Sequence, residues 1–177
     1  MAYFLSTDFN GIDALKKDGS VARCNACDQP IRKYPEPVDT RKKTSLDFSS
    51  SRDGFVMVSE KFKNLYESCH FQGCHFLELS SGGYILAPKR CVDLVFSPIV
   101  ASKSERCDIC GQFTKFLRAT HEAKVNSQET DIEVNEFVRS SQETPMVVGC
   151  DFHLIVGDAV AQHLMKKRIR RVVLHKI

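Results

Sequence analysis

Two Cys-x-x-Cys pairs, Cys24-Asn-Ala-Cys27 and Cys107-Asp-Ile-Cys110, constrain this chain more than any other feature. Two residues between cysteines bend the backbone so that both sulfurs of one tight turn face the same point. Two such turns supply the four sulfurs of a tetrahedral metal site, with bonds of about 2.3 Å. Gly111, directly after the second pair, suits a turn that ends at positive φ. Residues 28–106 separate the pairs, far more than the insert of a compact zinc finger. The tertiary fold therefore has to assemble the site, forming a knuckle from residues 20–30 and 104–114. Closing so long a loop through a metal stabilises the fold. Four thiolates leave no open position for water or substrate, so one structural Zn2+ on Cys24, Cys27, Cys107 and Cys110 is expected rather than a catalytic one. A thioredoxin-like redox pair needs a single Cys-x-x-Cys at a strand–helix junction, and here both pairs lie in turn-rich sequence. Disulfides and an iron–sulfur centre remain as other readings of the same sulfurs.

The chain has 177 residues, of which 42% are hydrophobic and 27% charged, the balance of a globular protein that buries a core of its own. A single domain over 1–177 is expected, with the metal added to that core rather than replacing it. No run of about 18 apolar residues occurs, so no membrane span is expected. The N-terminal Met-Ala-Tyr-Phe-Leu-Ser-Thr-Asp has no basic start and no long apolar stretch, which points to a cytoplasmic protein. There, eight cysteines speak for metal or redox chemistry more than for a disulfide framework. The formal charge of +3 falls to about +1 with four thiolates and one zinc ion, so bulk charge makes no case for nucleic acid. Basic runs at Arg41-Lys42-Lys43 and Lys166–Arg171 are the best nucleic-acid feature. The second is equally the last turn of a helix, where cations favour the dipole.

Hydropathy patterning predicts an α+β fold: a mixed or antiparallel sheet, two main helices, and a four-cysteine zinc-ribbon-like knuckle. Residues 2–6 read as a first strand, and 38–54 as loop with one short strand. Phe55–Val58 is an apolar run followed by Ser59 as helix N-cap, with Phe62, Leu65 and Tyr66 at helical spacing. Strands are expected at Cys74–Leu79, Tyr84–Leu86 and Cys91–Phe96, with a turn at Ser81-Gly82-Gly83. Near the C-terminus, Phe152–Val156 reads as a strand, Gly157-Asp158 as a helix start and Val172–Leu174 as a closing strand. Strand–helix–strand thus occurs twice, over 55–79 and 152–175, a candidate pseudo-repeat. Residues 126–144 form the one strongly acidic stretch, with Glu129, Asp131, Glu133, Glu136 and Glu143 against Arg139, read as a solvated loop or edge.

No phosphate loop, dinucleotide fingerprint, HExxH or nucleophile elbow is present, so the chain is not expected to be an enzyme. Cys69, Cys74, Cys91 and Cys150, like His121, are expected to be structural, since a lone cysteine is most often a small buried hydrophobe. Taken in order, four segments resemble a family of bacterial proteins named for a double CxxCG motif: the N-terminal strand leading to CNAC, the central FVMVSEKFKNLYE, the second pair as RCDICG, and the terminal FHLIVGDAVAQHLMKKRIRRVVLHKI. The chain departs from the motif at Asp28, where the first pair would be followed by glycine. The resemblance implies an immunity protein of a polymorphic toxin system, which binds and neutralises a cognate protein toxin. Glu129, Asp131, Glu133 and Glu136 are the acidic residues expected to face such a partner. The competing expectation is a zinc-ribbon nucleic-acid-binding regulator.

Overall fold

The structure is a computed structural model, and it describes residues 1–7, 14, 22–28, 46–51, 54–80, 82–96, 105–115, 124–126, 131–145, 150–167, 169 and 172–177. In chain order these residues form β1 (Ala2–Thr7), β2 (Phe48–Ser50), β3 (Val56–Val58), α1 (Glu60–Ser68), β4 (Cys74–Glu78), β5 (Tyr84–Pro88), β6 (Cys91–Val92), β7 (Leu94–Val95), β8 (Glu105–Arg106), β9 (Phe113–Lys115), β10 (Lys124–Val125), β11 (Phe137–Pro145), β12 (Cys150–Gly157), α2 (Asp158–Lys166) and β13 (Val172–Lys176). The fold is α+β, as the patterning predicts. Its strands are divided among several sheets: a five-stranded one ordered β13-β1-β12-β11-β6, a four-stranded one ordered β2-β3-β5-β4, and the pairs β10-β7 and β8-β9.

The two strand–helix–strand segments share one arrangement. β3 and β4 both run antiparallel to β5, which lies between them, so they are parallel to each other across it. β12 and β13 are related in the same way across β1. In one segment the inserted strand follows the unit in sequence, and in the other it precedes it.

Period-2 alternation puts apolar residues on both faces of each large sheet. The inner faces contribute Leu5, Phe152, Leu154 and Val156 from one sheet and Phe48, Val56, Val58 and Leu86 from the other to a common core. Phe62 and Tyr66 of α1 and Val160, Ala161 and Leu164 of α2 complete it. The opposite faces have smaller cores of their own, around Phe55, Met57, Leu79 and Ile85 on one sheet and Phe4, Val92, Leu94, Val138 and Ile155 on the other. Within the main core, aromatic rings meet edge to face: Phe62 lies 4.9 Å from Phe48 and 6.2 Å from Phe137 between centroids.

The helix starts lie where the sequence puts them, but by different means. Ser59 Oγ accepts from the Phe62 N–H at 3.2 Å, a side-chain cap. Gly157 has no side chain to cap α2, and the Val134 carbonyl accepts from the N–H groups of Ala159 at 2.8 Å and Val160 at 3.2 Å instead. The predicted 126–144 loop is corrected in its second half. β11 occupies an interior place between β12 and β6, with Phe137, Val138 and Ser140 buried. The single strand expected over Cys91–Phe96 is also corrected: it breaks at Asp93 into β6, paired with β11, and β7, paired with β10.

Candidate metal centre

Each cysteine pair sits on a six-residue turn with the same internal bonding. In the first, the Asp28 N–H donates to the Cys24 carbonyl at 2.8 Å; in the second, the Gly111 N–H donates to the Cys107 carbonyl at 2.8 Å. Both turns end in the left-handed region, at φ 57 for Asp28 and φ 73 for Gly111. Asp28, where the double-CxxCG motif has glycine, therefore takes up the backbone conformation for which glycine is used, and aspartate is among the few side chains that tolerate it. The second turn is the connection of the β8-β9 hairpin, where Cys107 N–H also donates to the Gln112 carbonyl at 2.9 Å. β9 lies alongside β11, which places the turn beside the five-stranded sheet.

The fold brings the two turns face to face. Cys24 Sγ is 3.7 Å from Cys107 Sγ, and Cys27 Sγ is 3.6 Å from Cys110 Sγ. All four sulfurs lie within 4.8 Å of one another, Cys24 and Cys107 buried and Cys27 and Cys110 half-buried. A tetrahedron with metal–sulfur bonds of about 2.3 Å has edges of about 3.8 Å, so the four cysteines fit a single metal ion. A disulfide needs a separation of about 2.05 Å, and none of the cysteines whose side chains are described is disulfide-bonded. Backbone N–H groups of Ala26 and Cys27 pull the Cys24 thiol down to about 7, against the opposing effect of burial. At Cys110 the Gln112 N–H acts in the same downward sense, but burial and the neighbouring Cys107 and Cys24 produce a net rise. The two thiols are thus pushed in opposite directions within one cluster, Cys24 down and Cys110 up.

Patterning on the cysteines alone overlooks two arginines. Arg23 precedes the first pair and Arg106 the second, so the repeated unit is Arg-Cys-x-x-Cys followed by the positive-φ residue. Arg23 Nη1 donates to the Asp28 carbonyl at 2.7 Å, and Arg106 Nη1 donates to the Gly111 carbonyl at 3.0 Å. The signal that reveals them is the shared offset from each pair.

The other predicted residues lie elsewhere. Asp131 and Glu133 are exposed in the segment before β11. Glu136 faces inward: its carboxylate accepts from Arg90 Nε at 2.9 Å and from the Glu133 N–H at 3.2 Å. Glu129, His121 and the run Arg41-Lys42-Lys43 lie outside the described residues. Cys74 is buried and burial pushes its thiol up, Cys69 packs half-buried against the main core, and Cys91 is exposed rather than packed. Among the described residues, no helix is long and apolar enough to cross a membrane.

No family model matches the chain, and neither a curated protein nor a solved structure shows significant similarity to it.

Proposed function

We propose that the four cysteines hold one structural zinc ion and that the protein acts by binding, as an immunity protein that neutralises a cognate toxin. The observation that carries the metal half is the four-sulfur cluster, whose 3.7 and 3.6 Å cross-pairs match the edges of a zinc–thiolate tetrahedron. Four thiolates saturate such an ion, which leaves it a fold element with no position for substrate. The resemblance of CNAC, RCDICG and the flanking segments to the double-CxxCG family supports the binding half. Under this reading the ion joins the 24–27 and 107–110 turns into a ribbon-like knuckle, and a surface elsewhere meets the toxin. Among the acidic candidates that are described, Asp131 and Glu133 are exposed, whereas Glu136 is engaged with Arg90. Coexpression with the product of the neighbouring gene tests the proposal: rescue of growth and co-purification support it. A salt-dependent gel shift with DNA or RNA and no toxin partner would favour the regulator instead.

A further inference from the structure

We infer that Arg23 and Arg106 are paired positioning residues for the metal centre, each fixing its own cysteine turn in the ligand-presenting shape. The inference rests on the metal reading above. The two six-residue units, Arg23–Asp28 and Arg106–Gly111, have the same three features at the same offsets. An arginine precedes the first cysteine, the N–H of the sixth residue bonds back to the carbonyl of the second, and the sixth residue has positive φ. In both, the guanidinium spans the turn to the carbonyl of that sixth residue, at 2.7 and 3.0 Å. That carbonyl belongs to a residue whose backbone conformation the chain does not readily keep, and the arginine bonds to it directly. Arg23 also meets Asp28 Oδ2 at 3.3 Å, a side-chain restraint in the turn that lacks glycine.

The physical consequence concerns how firmly the ion is kept. Cysteine turns that are already bent do not lose backbone freedom again when the metal binds. A divalent ion with four thiolates also carries a net negative charge, which two cations on the flanking residues offset. Groups outside the ligand shell that orient the ligands affect metal affinity by about 10–100-fold.

The test uses the full chain loaded with one equivalent of Zn2+ and follows transfer of the ion to a chromogenic chelator. Arg23→Met and Arg106→Met should each release zinc about tenfold faster, and the double variant faster still. Arg23→Lys and Arg106→Lys should fall between them and the unchanged chain, because an ammonium donates without the fixed fork of a guanidinium. With Co2+ in place of Zn2+, the variants should keep the absorption of a tetrahedral four-sulfur site. A merely structural role would disturb that spectrum. Release rates within twofold of the unchanged chain would overturn the inference, as would loss of the tetrahedral spectrum. Where a methionine variant does not fold, a lysine variant releasing as slowly as the unchanged chain has the same force. If the unchanged chain binds neither Zn2+ nor Co2+, the metal reading itself fails and this inference with it. Binding by the unchanged chain with unaltered release from the variants overturns this inference alone.

Discussion

Glycines at three positions separate two costs that sequence alone does not distinguish. Gly111 has φ +73, and a Cβ added there meets nothing within 4 Å. Gly111→Ala should therefore lose only the conformational preference, about 1–2 kcal/mol, measured by urea unfolding of the metal-loaded protein. Gly157 has an ordinary negative φ, yet a Cβ there would lie 2.0 Å from the Glu133 carbonyl oxygen. Gly157→Ala should cost about 3 kcal/mol or more, because the obstacle is backbone and cannot swing aside. Gly73 has both problems, with φ +92 and a Cβ position 2.2 Å from the Phe137 carbonyl oxygen. The ranking expected from one chemical denaturation series is Gly111 mildest, Gly157 and Gly73 severe. Equal losses at Gly111 and Gly157 would show that the close approach of the 133–134 backbone to α2 is wrong.

Elements differ in how far their boundaries can be read from sequence. α1 is legible because its cap and its apolar stripe are local: Ser59 caps it, and Phe62 and Tyr66 point to the core. Ser59→Ala should cost about 1 kcal/mol. β11 is not legible, since its acidic and polar residues break the apolar alternation that marks a strand. Its place is fixed by partners on both sides, β12 and β6, and by the Gln72–Glu136 bridge between the two large sheets. The segment before it carries Asp131 and Glu133, the exposed acidic residues of the proposed partner surface. If the protein neutralises a toxin as proposed, lysine at both Asp131 and Glu133 should slow association with it at low salt and leave folding unchanged. Glu136→Gln should do the reverse, lowering stability by about 1–3 kcal/mol through the lost Arg90 interaction without changing the association rate. Stopped-flow association and thermal unfolding on the same variants separate the two effects.

For the molecule as a whole, the four-cysteine cluster brings together segments far apart in the chain, and on the proposed reading a metal ion clasps them. Removing the ion with a chelator, or changing Cys24 to Ser, should lower the unfolding temperature. The loss should depend on free zinc concentration, as expected for a ligand held only by the folded state. Acid should have a related effect on metal-free protein. The folded Cys24 thiol is pulled down to about 7 from an ordinary value of 9.0, so between those pH values the unfolded chain binds more protons. Stability from this group is therefore present above about pH 9 and is lost as pH falls through 7. Cys24→Ser should flatten that slope in a pH series of denaturation midpoints, and an unchanged slope would assign it to another group.

The sequence by itself determined which four cysteines cluster, the first helix with its cap, and the strands that carry apolar alternation, because each depends on spacing within a few residues. The strand–helix–strand character of 55–79 and 152–175 was visible for the same reason. Only the tertiary structure decided that β5 and β1 lie inside those units, since strand order depends on pairing between distant segments. It also decided that Glu136 turns inward and that Asp131 and Glu133 do not, which depends on where Arg90 arrives. The distance between the two cysteine pairs is the clearest division. Their spacing names the four sulfurs, but their approach to within 4.8 Å of each other depends on tertiary packing, with the second turn carried by the β8-β9 hairpin alongside β11.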